Sequence, residues 1–328
     1  MKKILSLVIA ATLIAIACNK ADRLSTQGQE ETVAAPTKRM CASMEVLQEQ
    51  LKADPSLQKR MDDLEKITQN FIRNKSLYRL SGDTMIVPVV VNVVYRTATE
   101  NIALGQIQSQ IDVLNEDYSG KNADVSGVPS IFKSVKAGDT KIRFVLDQVV
   151  RKSTTKRSWS TNDAVKKSSQ GGVNPTSPTT KLNIWVCTLG QGLLGYAQFP
   201  GGNSATDGVV ILNSAFGSRA KFPGGYYTAT YDLGRTTTHE VGHWFNLRHI
   251  WGDATCGDDL VADTPQANAA NFGCPAYPHY STCTGTPVEM TMNYMDYTDD
   301  ACMYMFSAGQ ASRMQATWIV GGPRASFR

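Results

Sequence analysis

The amino-acid sequence predicts an α+β fold: an upper subdomain with a mixed five-stranded sheet and helices, one helix that carries the chemistry, and a lower irregular subdomain linked through cysteines. Three observations predict it. A β-branched run of strand length, MIVPVVVNVVY from Met85 to Tyr95, is followed over 102–118 by a helical stripe of Leu104, Ile107, Ile111, Leu114 and Tyr118, which together read as a βα unit. Four more runs have strand length and composition: KIRFVLDQVV (141–150), KLNIWVC (181–187), LGYAQF (194–199) and DGVVIL (207–212), and strands mixed with helices give a layered α/β core. Beyond about residue 250 the chain becomes loop-rich, with four cysteines and few strand signals.

At the amino end, Met1-Lys2-Lys3 precedes an apolar run from Ile4 to Ala17 that stops at Cys18-Asn19-Lys20. This is the pattern of a signal peptide, 1–17, and it is shorter than the roughly 20 residues a membrane-spanning helix needs. Export from a bacterial cell is expected, either as a freely secreted or as a cell-surface protein. Ala15-Ile16-Ala17-Cys18 resembles a lipoprotein cleavage site, which implies a lipid anchor on Cys18, although Ala15 stands where Leu is usual; ordinary cleavage is the alternative. Residues 18–40 have no apolar periodicity and read as a tether without chemistry. In 41–80, Met44, Leu47 and Leu51, then Leu57, Met61, Leu64, Ile67 and Phe71, recur at three- and four-residue steps. Two amphipathic helices parted near Asp54-Pro55 are expected, forming a small helical prodomain ahead of a main domain at 81–328.

Thirty-three Lys and Arg against 29 Asp and Glu leave a net charge of +4, part of it in the leader and in 151–167, so no nucleic-acid partner is expected. The decisive stretch is His239-Glu240-Val241-Gly242-His243-Trp244-Phe245-Asn246-Leu247-Arg248-His249, which holds three of the chain's four histidines. Residues four apart on a helix share a face, so His239 and His243 can aim at one metal ion. Glu240 lies beside them, able to hold a water. Continued helix would carry His249 about 15 Å along the axis; the helix must therefore break first, and Asn246 tolerates the left-handed conformation that ends helices. Three neutral imidazoles leave a tetrahedral zinc ion one open position, the layout of a catalytic site.

The motif HExxHxxNxxH resembles that of the metzincin zinc proteases, whose extended site usually has Gly where Asn246 stands, and HEVGHW with the following LRH is similar to the pappalysin family, in its ulilysin-like or cytophagalysin branch. The resemblance extends over roughly 85–320 and includes Asn293-Tyr294-Met295-Asp296-Tyr297, similar to the family's Met-turn. It implies a metzincin-like fold, a zinc endopeptidase acting on protein or peptide substrates, Glu240 as general base, Tyr297 near the metal, and Met295 as an apolar floor. It also implies disulfides Cys256–Cys283 and Cys274–Cys302, and a calcium ion held by Asp259, the Val261 carbonyl and Thr264. Cys41 resembles the cysteine switch of metzincin precursors, a thiolate fourth ligand that keeps the zymogen latent, although Ala42 stands where Gly often follows. Removal of the prodomain would need cuts at basic sites such as Arg73, Lys75 or Arg79.

Substrate is expected to pair with the edge strand around 194–199. Ulilysin-like enzymes favour a basic residue just after the cut; Asp299 and Asp300 follow the Met-turn where that pocket should lie, yet Ala301 stands where a relative is expected to place its acid. A monomer is expected, with Cys187 a buried free thiol. Two other readings remain: a surface-tethered zinc-containing binding protein without activity, for which Glu240 and Tyr297 need not be present, and a zinc amidase acting on cell-wall peptides.

Overall fold

The computed structural model describes residues 36–78, 80 and 83–327. The leader, Cys18 with its lipidation and Arg79 lie outside the described residues. Helices α1 (Ser43–Ala53) and α2 (Ser56–Arg73) are parted at Asp54-Pro55, where the proline ring disfavours helix for the residue before it. Their apolar stripes bury Val46, Leu47, Leu57, Leu64 and Phe71. Leu57 and Leu47 pack on Phe199 of the main body, and Phe71 on Ala316 and Ile319.

Strands β1 (Met85–Tyr95), β2 (Ile142–Ser153), β3 (Leu182–Cys187), β4 (Gly195–Ala197) and β5 (Val209–Leu212) form one sheet of order β2-β1-β3-β5-β4. All neighbours are parallel except β4, which runs antiparallel to β5 at the edge. Helix α3 (Leu104–Ser119) makes the crossover from β1 to β2, as a parallel pair requires. One face of β1 places Val87, Val89, Val91 and Val93 in a core with Ile107, Ile111, Leu114 and Tyr118 of α3. The opposite face, through Val94, Trp185 and Val210, is covered by Trp159, Val165 and Leu189. Burial on both faces explains why β1 reads as a continuous apolar run instead of an alternating one.

Element edges differ from expectation in small ways. β2 continues to Ser153, following β1 past a register shift at Val89/Val90. β4 keeps only three ladder residues of the expected 194–199, because Gln198 and Phe199 turn away to meet the 203–208 loop and α1. Cys187 is buried in β3 and unpaired, and burial raises its thiol above the ordinary range.

After α4 (Arg235–Trp244) the described residues contribute only the 3₁₀ turn at Asp300–Cys302 and helix α5 (Ala308–Ala316) as helices or strands. Ser307 caps α5 with a capping box to Gln310. In this irregular region Cys256 is bonded to Cys283 and Cys274 to Cys302. With so little secondary structure, order comes from small clusters such as Ile250, Trp251, Met290, Met292 and Met305 and from these loop closures. Each link closes a span of 27 or 28 residues, for which chain entropy suggests a contribution of about 3.5 kcal/mol. Peptide mapping without reduction is expected to recover these two pairs, and a double Cys256→Ser, Cys283→Ser variant is expected to lose about 2–4 kcal/mol in urea unfolding; a loss below about 0.5 kcal/mol would contradict the closure argument.

Candidate active site

Helix α4 begins at Gly234, whose φ of +87° lets the chain turn into the helix, and no side chain of its own caps it. The cap comes from Asp300: its Oδ2 accepts from the amides of Leu233 (2.9 Å) and Arg235 (3.2 Å), placing a carboxylate at the positive end of the helix. α3 braces the first turn, with the Tyr118 hydroxyl donating to the Thr238 carbonyl and the Thr238 hydroxyl to Asp117. Burial pushes the Asp117 carboxyl up to about 6 against the opposing pull of Arg235.

The helix ends as the sequence demanded. Asn246 has φ +72°, its amide donates to the His243 carbonyl and the Leu247 amide to that of Gly242, the paired bonds of a Schellman motif. The reversal carries His249 back beside its partners. Nε2 of His243 lies 3.2 Å from that of His239 and 3.1 Å from that of His249. The remaining ring nitrogens are each held: Nδ1 of His239 on the Tyr294 carbonyl (2.7 Å), of His243 on the Leu247 carbonyl (2.8 Å), and of His249 on Asp253 Oδ1 (2.5 Å). A carbonyl only accepts, so Nδ1 of His239 and His243 carries the proton and Nε2 presents a lone pair. Burial, with neighbouring imidazoles reinforcing it, holds both rings well below the ordinary histidine range. Three buried imidazoles with converging Nε2 atoms and oriented back sides fit a divalent metal.

Cys41 joins them: its Sγ and one nitrogen of each histidine all lie within 4.8 Å of one another, the one such group among the described residues. Glu240 is fully buried, and burial pushes it up to about 7. Its Oε2 accepts from the Ser43 hydroxyl (2.8 Å) and lies 3.3 Å from Cys41 Sγ, while Oε1 has no hydrogen-bond partner. A side chain at Gly195 would strike Glu240, at 2.9 Å, so the strand and the carboxylate can be neighbours only through that glycine. Tyr297 donates to the Cys41 carbonyl (3.1 Å), its ring edge-on to His249 at 4.9 Å.

The amino-terminal segment lies along β4. Cys41 bridges Gly195 in parallel sense, Leu194 donates to the Met40 carbonyl, Ala42 donates to the Gly195 carbonyl, and the Ala197 amide donates to the Ser43 hydroxyl. This overturns the expectation that 18–40 carries no chemistry up to its end. Arg39 is buried, its guanidinium 2.6 Å from Asp300 Oδ1 and donating to the Thr298 carbonyl and Thr236 hydroxyl. The acid it meets is Asp300 and not a residue at position 301. Sequence reasoning missed Arg39 and Ser43, although their adjacency to Cys41 was a signal that could have found them.

Met295 is buried and packs against α4 at Gly242, where an added Cβ would stand 2.5 Å from its sulfur. Asp259 is buried and pushed up to about 7 by burial; the Thr264 hydroxyl is 2.8 and 3.0 Å from its two oxygens and 2.7 Å from the Val261 carbonyl.

Comparison with known proteins agrees with this geometry. The family model described as pregnancy-associated plasma protein-A matches residues 183–318. An extracellular metalloprotease of Verticillium alfalfae is 33% identical over 247 residues, covering 72% of this chain and 78% of the relative. The chain belongs to the pappalysin family of metalloproteases. Among solved structures, pappalysin relatives include mature mirolysin of Tannerella forsythia in complex with a cleaved peptide, 45% identical with a TM-score of 0.71 over 75% of this chain and 96% of that one. A promirolysin mutant of the same organism is 42% identical, with a TM-score of 0.73 over 85% and 93%. This pappalysin therefore has the metzincin fold and is a hydrolase of peptide bonds.

Because Gly242 and Met295 touch, Gly242→Ala is expected to lower stability by about 1–3 kcal/mol through overpacking. Adding Met295→Ala should recover part of that loss in thermal unfolding; no recovery would mean the cost is not steric contact with the sulfur.

Proposed function

We propose that this chain is the latent precursor of an exported zinc endopeptidase, with His239, His243 and His249 as zinc ligands, Glu240 as general base and Cys41 as the blocking ligand. The observation that carries the reading is the convergence of three buried imidazoles and one buried thiol beside a carboxylate with a free oxygen. Zinc held there would polarise a peptide carbonyl and acidify water. Glu240 would take a proton from the attacking water as its oxygen adds to the carbonyl carbon, then return it to the amine as the C–N bond breaks. Tyr297, released from the Cys41 carbonyl, would donate to the oxygen that gains charge.

Latency has three supports in this reading. Burial and the Glu240 charge push the Cys41 thiol up, so its thiolate form would depend on a bound cation. Ser43 engages Glu240 and the Ala197 amide, a group that a substrate strand would otherwise use. Arg39, paired with Asp300, would occupy the pocket that takes the residue after the cut. The same pocket supports selection of Arg or Lys just after the cut, by charge complementarity. The exposed Arg73 and Lys75, at the end of α2, suit prosegment release at 41–80 by the enzyme itself. The promirolysin likeness favours a zymogen, and the relatives described as extracellular favour export. Lipidation at Cys18 remains part of the proposal, as does calcium on Asp259, Val261 and Thr264, whose buried carboxylate would be stabilised by a hard cation.

Glu240→Ala in protein freed of the prosegment is expected to retain about one zinc per chain by metal analysis while turnover falls about 10²–10⁴-fold; retention of more than about a tenth of the rate would remove Glu240 from its role. Full-length Cys41→Ala should lose its prosegment faster than the wild type and show activity earlier, and identical time courses would exclude the thiol as the block. For calcium, millimolar additions are expected to raise Tm, and the rise should vanish in Asp259→Asn.

A further inference from the structure

The end of α4 raises an accounting question for its backbone. A helix leaves its last carbonyls without intrahelical donors, and the Schellman motif at Asn246 meets those of Gly242 and His243. The Trp244 carbonyl, at the last helical residue, is met from a distant part of the chain: Arg324 donates to it from Nε (3.3 Å) and Nη2 (3.2 Å). The same guanidinium lies 3.8 Å from the centre of the Trp244 ring. It is aimed by a fork onto Asp207, Nη1 to Oδ2 at 2.6 Å and Nη2 to Oδ1 at 3.0 Å, and Asp207 also accepts from the Trp244 indole (3.1 Å). Phe327 packs edge-on against Trp244 at 4.9 Å. Arg324 is 4% exposed and is held in place by its own amide, which donates to the Thr317 carbonyl.

We propose that Arg324 is a positioning residue for the metal site. It holds the carbonyl end of α4 one residue after His243 and two before the left-handed turn that delivers His249. The physical case is local. Asn246 can place His249 beside His243 only if the helix stops at a defined residue, and a stop is defined when every exposed carbonyl has a partner that continued helix would displace. A cation is also the favoured charge at that end of the helix dipole. Without Arg324, the Trp244 carbonyl is buried and unmet, and the least costly repair is to shift the last turn. That shift would change the distance from His243 to His249 while leaving His239, one turn back, where it is.

The proposal rests on the zinc reading above, and the test separates the two. Wild type, Arg324→Gln, Arg324→Lys and Asp207→Asn full chains would be stripped of metal and titrated with zinc against a chromophoric chelator. Thermal unfolding would be followed with and without zinc. Arg324→Gln is expected to weaken zinc binding about 10-fold or more, the usual worth of an outer support, and to shrink the rise in Tm that zinc produces. Arg324→Lys, which keeps the charge and loses the fork, should fall between. An equal drop in Tm with and without zinc, at unchanged zinc affinity, would show Arg324 to be a stability contact only and overturn the proposal. Should Arg324→Gln fail to fold, Arg324→Lys and Asp207→Asn decide: weakened zinc binding in either supports the assignment, and unchanged binding in both overturns it. Wild-type protein that takes up no zinc would remove the zinc reading and this inference with it.

Discussion

Most of the arrangement depends on one backbone event, the end of α4 at Asn246. Two imidazoles on a helix face can be placed by periodicity alone, but a third, six residues after the second, can join them only if the chain reverses. The left-handed turn supplies that reversal, and it constrains its surroundings in turn. Gly242 has to be a glycine because Met295 packs against it. The Tyr294 and Leu247 carbonyls must lie where they orient the ring nitrogens, and the last helical carbonyl needs a donor from elsewhere.

Charge follows the same axis. Asp300 sits at the amino end of α4 and Arg324 at its carboxyl end, each the sign the helix dipole favours there. Asp300 does two things at once, since its other oxygen faces Arg39. A carboxylate fastened to backbone amides cannot swing toward solvent, so Asp300 and the start of the helix are held together. Arg313 plays a comparable part on the far side: its guanidinium faces the Asn246 and Leu260 carbonyls and, from α2, Glu65 at 2.8 Å.

Among the contacts that attach the amino-terminal segment are a buried ion pair at Arg39, hydrogen bonds at Ser43, and the Glu65 pair on α2. Removing one partner of a buried ion pair leaves an uncompensated charge, which is strongly unfavourable. Departure of the segment therefore has to come with water entering around Asp300 and Arg313. Both positions adjoin the ends of α4, so a form lacking the segment would differ in solvation there.

How much of this was legible beforehand divides along sequence distance. A β-branched run of strand length found β1, a period of 3.6 found α1, α2 and α3, and the spacing His239, His243, His249 with Asn246 between required the broken helix, because these are consequences of backbone geometry over a few residues. The strand edges at β2 and β4 were less legible, since a ladder ends where its neighbour stops pairing. Apart from the cysteines, which the family resemblance implied, contacts between distant segments could not be read: nothing in Lys38-Arg39-Met40 says that its guanidinium meets Asp300, 261 residues away, and nothing near Pro323 says that Arg324 caps α4. By itself the sequence determined which residues could form a metal site and where the helix had to stop; the tertiary structure alone decided which charges are buried together, because burial depends on how far-separated segments pack and no local pattern encodes it.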